Sequence, residues 1–260
     1  MKTILYTGAR SGISSFVINR LLSKDYLIYI TVHTKSEEKY IKEKYKNTRN
    51  IKCCKIDITD DNDLKKIKLL DVDILVANAA VGEGGSLLEI DIDRIRNNFE
   101  VNVFSTIKLI QIVLKTMIEK GSGKIVVISS LASTIPIPFL GAYAGSKASL
   151  SHMIKILRKE VKLLNKNINI VLVEPGMYHT GFNQVMLDNK YKYMNIESYF
   201  NNQINQIRKK ENLFFRLLEQ YDFSSISNKI YKAITCKYPK KIYRAPFFQS
   251  IGAKLYKILT

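Results

Sequence analysis

The stretch Thr3-Ile4-Leu5-Tyr6-Thr7-Gly8-Ala9-Arg10-Ser11-Gly12-Ile13-Ser14 decides how this chain is read. A β-prone run ends at Gly8, and over residues 13–22 the apolar side chains recur at helical spacing. A strand, a Gly-x3-Gly turn and a helix together make a phosphate cradle. Gly8 permits the tight turn, and Gly12 lets the backbone approach an anion. Free N–H groups and the dipole at the helix start favour that anion. The spacing is G-x-x-x-G-x-G, with Ser14 standing at the third glycine, so a small side chain remains where the helix meets the strand. Gly8, Arg10, Ser11, Gly12 and Ile13 are therefore candidate contacts for a dinucleotide.

Outward from this turn, strand-like runs alternate with helix-like ones. Strands are predicted over 3–7, 26–32, 51–56, 73–77, 124–128 and 168–173, and helices over 13–22, 60–69, 92–119 and 142–164. Such alternation implies parallel strands joined by right-handed crossovers. The predicted fold class is α/β, a Rossmann-like doubly wound parallel sheet in a single domain. Beyond Gly176 the regularity breaks. Residues 177–220 are expected to form a substrate lid, and 223–260 a basic C-terminal extension. That extension has a helix near 226–234, a short strand near 241–243 and an amphipathic helix over 250–259 with Lys254 and Lys257 on its polar side. Packing of this last helix on its own domain or on a second subunit is preferred to contact with a membrane surface.

The net charge of +18 is unusual. It suits nucleic acid, anionic lipid or an acidic partner, although lysines spread over a solvated surface give the same total. No nucleic-acid motif or aromatic–basic ladder accompanies it, so nucleic acid is not the expected partner. Cys53, Cys54 and Cys236 form no CxxC pair, and His33, His152 and His179 lack metal-ligand spacing. Reduced thiols and no metal site are expected, in a cytoplasmic protein. Residues 125–146 carry no charge and are long enough to span a bilayer, but Pro136, Pro138 and several serines favour a buried strand followed by a loop.

The end of the second strand bears on cofactor choice. A carboxylate there would bond a ribose 2′-hydroxyl, whereas cations would receive a 2′-phosphate. The chain reads Thr31-Val32-His33-Thr34-Lys35-Ser36, with no acid before Glu37. Lys35 and Ser36, with Arg10 from the turn, point to NADP(H) rather than NAD(H).

A Tyr-x3-Lys spacing occurs twice, at Tyr40–Lys44 and Tyr143–Lys147. In a chain with 15 Tyr and many lysines, one such spacing by chance is unsurprising. The second pair stands apart because Ser130 precedes it at the end of the fifth strand, where a doubly wound sheet holds its ligand. Lys147 follows Tyr143 by one helical turn on the same face. An ammonium there would lower the tyrosine pKa from about 10 and suit it to proton exchange. Ser130 would bond a substrate oxygen as charge develops on it.

These residues sit in a series of ordered motifs: TGARSGIS at 7–14, IDIT at 56–59, ANAA at 77–80, VN at 101–102, ISS at 128–130, YAGSK at 143–147 and PGMYHT at 175–180. Over residues 2–182 the chain resembles the short-chain dehydrogenase/reductase family, in its short single-domain branch. The resemblance implies that Tyr143 is the general acid/base and that Lys147 grips the nicotinamide ribose. It implies that Ser130, rather than Ser129, is the catalytic serine, and that Asn102 holds a proton-relaying water. Asp57 would contact the adenine and Thr180 the carboxamide, with Asn78, Pro175 and Gly176 also lining the cofactor. Ala77-Asn78-Ala79-Ala80 departs from the usual NNAG, and Ala80 adds a methyl beside the cofactor.

The expected activity is NADPH-dependent reduction of a ketone or aldehyde, or the reverse alcohol oxidation. Phe139, Leu140, Met177, Tyr178, Phe182, Met186 and Leu187 would line an apolar pocket for a lipid-like, steroid-like or acyl substrate. The alternative is a catalytically weak dinucleotide sensor whose basic surface binds nucleic acid or anionic lipid. A nucleotide-sugar epimerase shares Tyr-x3-Lys, but its glycine spacing differs and this chain is short for the added lobe. Helices 92–119 and 142–164 are more apolar than one buried face requires, which predicts a homodimer or homotetramer.

Overall fold

The computed structural model describes residues 1–10, 12–194 and 197–259. Ser11, one expected cofactor contact, lies outside the described residues. Among the described residues, seven strands form one parallel sheet in the order β3-β2-β1-β4-β5-β6-β7. They are β1 (Lys2–Tyr6), β2 (Tyr26–Val32), β3 (Ile51–Lys55), β4 (Ile74–Ala77), β5 (Ser122–Ile128), β6 (Asn167–Pro175) and β7 (Ile242–Ala245). Ile4 lies opposite Ile28 on one side and Ile74 on the other. Chain order therefore reverses at β1 and β4, and a doubly wound sheet opens its ligand crevice at that switch point, beyond the strand C-termini.

Alternation along each strand divides the core in two. Ile4 and Tyr6 face α1 (Gly12–Leu21), α2 (Lys35–Lys44) and α9 (Ser224–Thr235), packing with Val17, Ile18, Ile41, Ile226 and Ile230. Leu5 points the other way, toward α3 (Asp61–Lys68), α5 (Thr106–Lys120) and α6 (Gly141–Leu163), among Leu64, Ile67, Ile110, Val113, Leu150 and Ile154. Lys124 is buried within β5. Its ammonium donates to Ile234 O and Cys236 O, both at 2.6 Å, and so satisfies carbonyls at the end of α9. Burial there pushes its pKa down to about 8.

Three features differ from the sequence reading. Apolar spacing predicts no helix over 35–44, yet α2 forms there with a single buried residue, Ile41. Its start is fixed by a capping box, in which Thr34 Oγ1 accepts from Glu37 N and Glu37 accepts from Thr34 N. This exposed helix also holds the chance pair Tyr40–Lys44.

Second, the rod predicted over 92–119 is not one regular helix. It runs as α4 (Ile92–Phe99), a π-turn over Glu100–Ser105, and then α5. The 29 residues Ile92–Lys120 are long and apolar enough to cross a membrane, but half of the most apolar window is buried in the domain. The uncharged stretch over 125–146 becomes most of β5, a 3-10 turn at Leu131–Ser133 and the start of α6.

Third, the lid region contains α7 (Phe182–Tyr193) and α8 (Ile204–Leu218). The Glu219 carboxylate, at the end of α8, accepts from Asn183 and Gln184 and pairs with His179 at 2.9 Å, which ties the two ends of the lid together. The C-terminal helix α10 spans Phe247–Leu259, three residues longer at its start than predicted. It turns its apolar side away from the domain, so of the two expected partners, its own domain and a second subunit, the first does not cover that side. The side it packs carries the small residues Ser250 and Ala253.

Candidate active site

The glycine turn is braced from the neighbouring strand. Gly8 has φ +62°, and a Cβ on it would stand 2.6 Å from Ala79 Cα, so only glycine fits here. Thr7 Oγ1 accepts from Asn78 N (3.1 Å) and Ala79 N (3.2 Å), while Asn78 Nδ2 donates to Thr7 O (3.1 Å) and Gly8 O (2.8 Å). Asn78 thus shapes the cradle with its side chain. Thr7 carries as much of the brace; it stands inside the TGARSGIS motif, yet only its partners reveal its role. Ser14 is fully buried, which a glycine-sized site between helix and strand accommodates. Ile13 packs partly against the core.

Gly12 has an added reason to be glycine. A Cβ there would lie 2.8 Å from the Phe223 ring, which also packs edge-on against Phe16 and beside Tyr178. Tyr178 is buried in that cluster and hydrogen-bonds Ser225, so it is core rather than pocket lining.

At the rim, two of the three groups expected to receive a phosphate, Arg10 and Ser36, already have partners. Arg10 Nη1 is 3.0 Å from Glu37 Oε1. Lys35 stands exposed at the first turn of α2, and Ser36 Oγ bonds Thr34 Oγ1. Asp57 accepts from Thr59 N (2.9 Å) and Thr59 Oγ1 (2.7 Å), a turn of the kind its sequence context suggests, and lies 3.5 Å from His33 Nδ1.

The reactive group forms where β5 ends. Ser129 and Ser130 point to opposite sides, as successive strand residues must. Ser129 is buried, with its hydroxyl on Ser151 Oγ (2.7 Å) and Lys147 O (3.3 Å). Ser130 instead hydrogen-bonds Tyr143, on the first turn of α6, and accepts from Ala132 N at 3.1 Å. Phe182 lies against Tyr143, with ring centroids 5.5 Å apart, and packs on Gly82 beside Met186. Of the other expected pocket residues, Phe139 packs on Phe200 of the lid and Leu140 is buried.

Lys147 follows one turn later, buried, with Nζ 3.2 Å from Ile128 O and 5.9 Å from the centre of the Tyr143 ring. Burial pushes Lys147 down to about 8 and pushes Tyr143 up to about 12, against a small lowering by Ser130. In this arrangement burial outweighs any lowering of the phenol, and the Lys147 ammonium is turned onto a main-chain carbonyl.

Asn102 sits on the π-turn and is fully buried. Its Oδ1 accepts from Val81 N, and its Nδ2 donates to Val81 O and Ser146 Oγ, each at 2.9 Å. Both amide donors are thereby used, so the side chain clamps the loop after β4 to α6 instead of offering a donor to water. Ser146, inside the YAGSK motif, is a functional neighbour that the motif shows but whose role only this contact explains.

Pro175 and Gly176 close β6, with Gly176 N donating to Ala245 O (2.7 Å), and Thr180 Oγ1 caps Phe182 N at 3.4 Å. Gln249 of α10 reaches the same point, its Oε1 accepting from Met177 N at 2.8 Å and its Nε2 donating to Leu218 O at 2.7 Å. Nothing in the local sequence marks Gln249.

The short chain dehydrogenase family pattern matches residues 2–190. The chain belongs to this family. Among its relatives, the NADPH-dependent 3-dehydrocapnine reductase of Ornithobacterium rhinotracheale is 31% identical over 192 residues, covering 69% of this chain and 66% of that protein. The chain thus spans slightly under two thirds of that relative.

Two solved short chain dehydrogenases share the fold. One from Burkholderia phymatum, in complex with NAD, aligns with a TM-score of 0.81 at 16% identity, covering 98% of this chain and 92% of that one. One from Burkholderia cenocepacia J2315, in complex with NADP, aligns at 0.72 and 17%, covering 98% and 93%. As a member of the short chain dehydrogenase family the chain has that family's Rossmann fold.

A dinucleotide fits these residues. The braced turn leads straight into α1, whose start presents N–H groups and a positive dipole end. Lys147 is a buried ammonium with three donors, and Ile128 O accounts for one of them. The remaining donors suit the hydroxyls of a ribose.

Proposed function

We propose that the protein reduces a ketone or aldehyde, or runs the reverse alcohol oxidation, with NADP(H) preferred to NAD(H). The meeting of Ser130 and Tyr143 at the C-terminal end of β5, with Lys147 one turn along α6, carries this reading. Two hydroxyls there converge where a carbonyl oxygen would lie. A bound nicotinamide dinucleotide supplies or accepts the hydride.

Tyr143 O–H gives its proton to the carbonyl oxygen as negative charge develops, and Ser130 donates a hydrogen bond to the same oxygen. Lys147 holds the ribose and keeps a cation near the phenol. Phe182 excludes water from the Tyr143 side and, with Met186, offers an apolar wall to a lipid-like or acyl substrate. Asn102 is a positioning residue, fixing the Val81 loop against α6.

Arg10 and Lys35 support the preference for a 2′-phosphate, with Glu37 as a competitor for Arg10. Exposed apolar residues on α4, the π-turn and α6, among them Ile92, Phe104, Met153 and Ile156, support pairing into a homodimer or homotetramer. A monomer in sedimentation at micromolar concentration would count against that pairing.

Titration with NADPH and NADH, read by nicotinamide fluorescence, followed by a carbonyl panel with Tyr143→Phe, tests the proposal. Tighter NADPH binding and turnover lost in Tyr143→Phe is the expected result. Turnover unchanged in that variant overturns it, and binding of neither nucleotide overturns it too, leaving the basic surface as the binding element.

A further inference from the structure

Helix α10 carries an apolar face with nothing of its own domain upon it. Phe247, Phe248, Ile251, Leu255, Ile258 and Leu259 are between 38% and 83% exposed. At 3.6 residues per turn they fall within an arc of about 120°. The opposite arc holds the helix in place through buried Ser250 and Ala253 and through Gln249. A helix whose task is to cover its own core has the reverse pattern.

The last turn of α8 meets the other side of α10 through the bond from Gln249 to Leu218 O. Leu213, Phe214 and Leu217 are exposed there too. Contiguous exposed apolar surface of this kind marks an interaction site.

Charge selects the occupant. Lys254 borders the apolar arc, and Lys209, Lys210 and Arg216 are exposed on α8; Lys257 is exposed too, about 80° round the helix from the arc. Residues 223–260 contain eight Lys or Arg and no Asp or Glu. A second copy would set these cations against one another. An anionic bilayer offers both an apolar interior and phosphate groups.

We propose that α10, with the end of α8, seats the protein on the surface of an anionic lipid bilayer. Phe247, Phe248, Ile251 and Leu255 enter the boundary between headgroups and acyl chains, and Lys254 lies among the phosphates at its edge, with Lys257 adding charge nearby. At 13 residues the helix is too short to span and lies in the plane of the surface. Gln249, on the opposite side of α10, bonds Met177 at the start of the lid, so the helix that carries this face is fastened to the mouth of the site.

The full chain is to be floated with vesicles of phosphatidylcholine alone and with vesicles rich in phosphatidylglycerol. The expected result is flotation with the anionic vesicles, weakened by salt. Phe248→Ser/Leu255→Ser and, separately, Lys254→Glu/Lys257→Glu are each expected to weaken it roughly tenfold or more. These side chains are exposed and lie outside the cradle, so NADPH binding serves as the check that each variant is folded. Equal flotation of wild type and both variants overturns the proposal, as does a wild type that stays with neither vesicle. Dissociation of a dimer by Phe248→Ser/Leu255→Ser, without flotation of the wild type, assigns the face to a second copy instead. Flotation is read without turnover, so its failure is distinct from failure of the reductase reading.

Discussion

Glu37 holds Arg10 across the mouth of the glycine turn, Oε1 to Nη1 at 3.0 Å, while its other oxygen accepts from the N–H groups of His33 and Thr34. One carboxylate therefore both starts α2 and competes for a cation that a 2′-phosphate would use. Partial burial works to raise its pKa, but the hydrogen bonds from Thr34 and His33 and the nearby guanidinium outweigh it and hold it below the ordinary value.

Glu37→Gln is expected to free Arg10 and strengthen NADPH binding several-fold, with little change for NADH. Loss of the charged cap costs the protein about 1 kcal/mol. Arg10→Ala should act in the opposite sense on NADPH alone. Fluorescence titration of both nucleotides checks the pair, and equal effects on NADPH and NADH would remove Arg10 from the phosphate site. Because the Glu37 pKa is depressed by folding, its contribution to stability is present above the unfolded value and is lost as pH falls through the folded one.

The two adjacent serines separate packing from chemistry. Ser129→Ala leaves the Ser151 hydroxyl without a buried partner and is expected to cost about 1–2 kcal/mol in denaturant unfolding, with turnover retained. Ser130→Ala is expected to leave stability almost unchanged and to reduce kcat roughly 10²-fold. The opposite assignment of effects would transfer the catalytic role to Ser129.

Lys147 bears a buried charge at neutral pH at a cost to the fold. Its pKa of about 8 lies below the ordinary lysine value, so the unfolded chain binds more protons between pH 8 and the unfolded value near 10.4. Stability attributable to this residue therefore rises with pH across that window. Lys147→Met is expected to abolish turnover, to raise stability at pH 7 by about 1–3 kcal/mol and to flatten that rise. Unfolding free energies measured from pH 7 to 10 check it; an unchanged slope would mean the ammonium is better solvated than its burial indicates.

Asn102→Ala strips partners from Val81 N and O together. A loss of about 2–4 kcal/mol is expected, with kcat reduced more than KM is raised, because the Val81 loop loses its hold on α6. Rescue by no single hydrophobic replacement distinguishes this from a plain cavity.

Much of this was legible in the chain. The parallel sheet follows from alternating runs, and the order Ser130, Tyr143, Lys147 identifies its reactive end. What escaped did so for physical reasons. Helix α2 has too few apolar residues for periodicity to register, although Thr34 and Glu37 spell a capping box. Asn102 reads as a candidate but its work depends on Val81 and Ser146, 21 and 44 residues away. The spacing in α10 gives an apolar side without telling which way that side faces, since direction is set by Gln249 and its distant partners.

The π-turn at Glu100–Ser105 has one further consequence. It lodges an extra residue within an otherwise continuous rod, so the side chains before and after it are counted in different phases. Loop lengths elsewhere in the chain have room to drift by a residue, but if these same six residues wound as regular helix, α4 would swing by about 100° relative to α5. Asn102 would leave Val81, and the outer face of α4 would turn inward. Here the chain carries its information in the number of residues as well as in their kind, because the count and the type of winding must change together to keep α4 and α5 in phase.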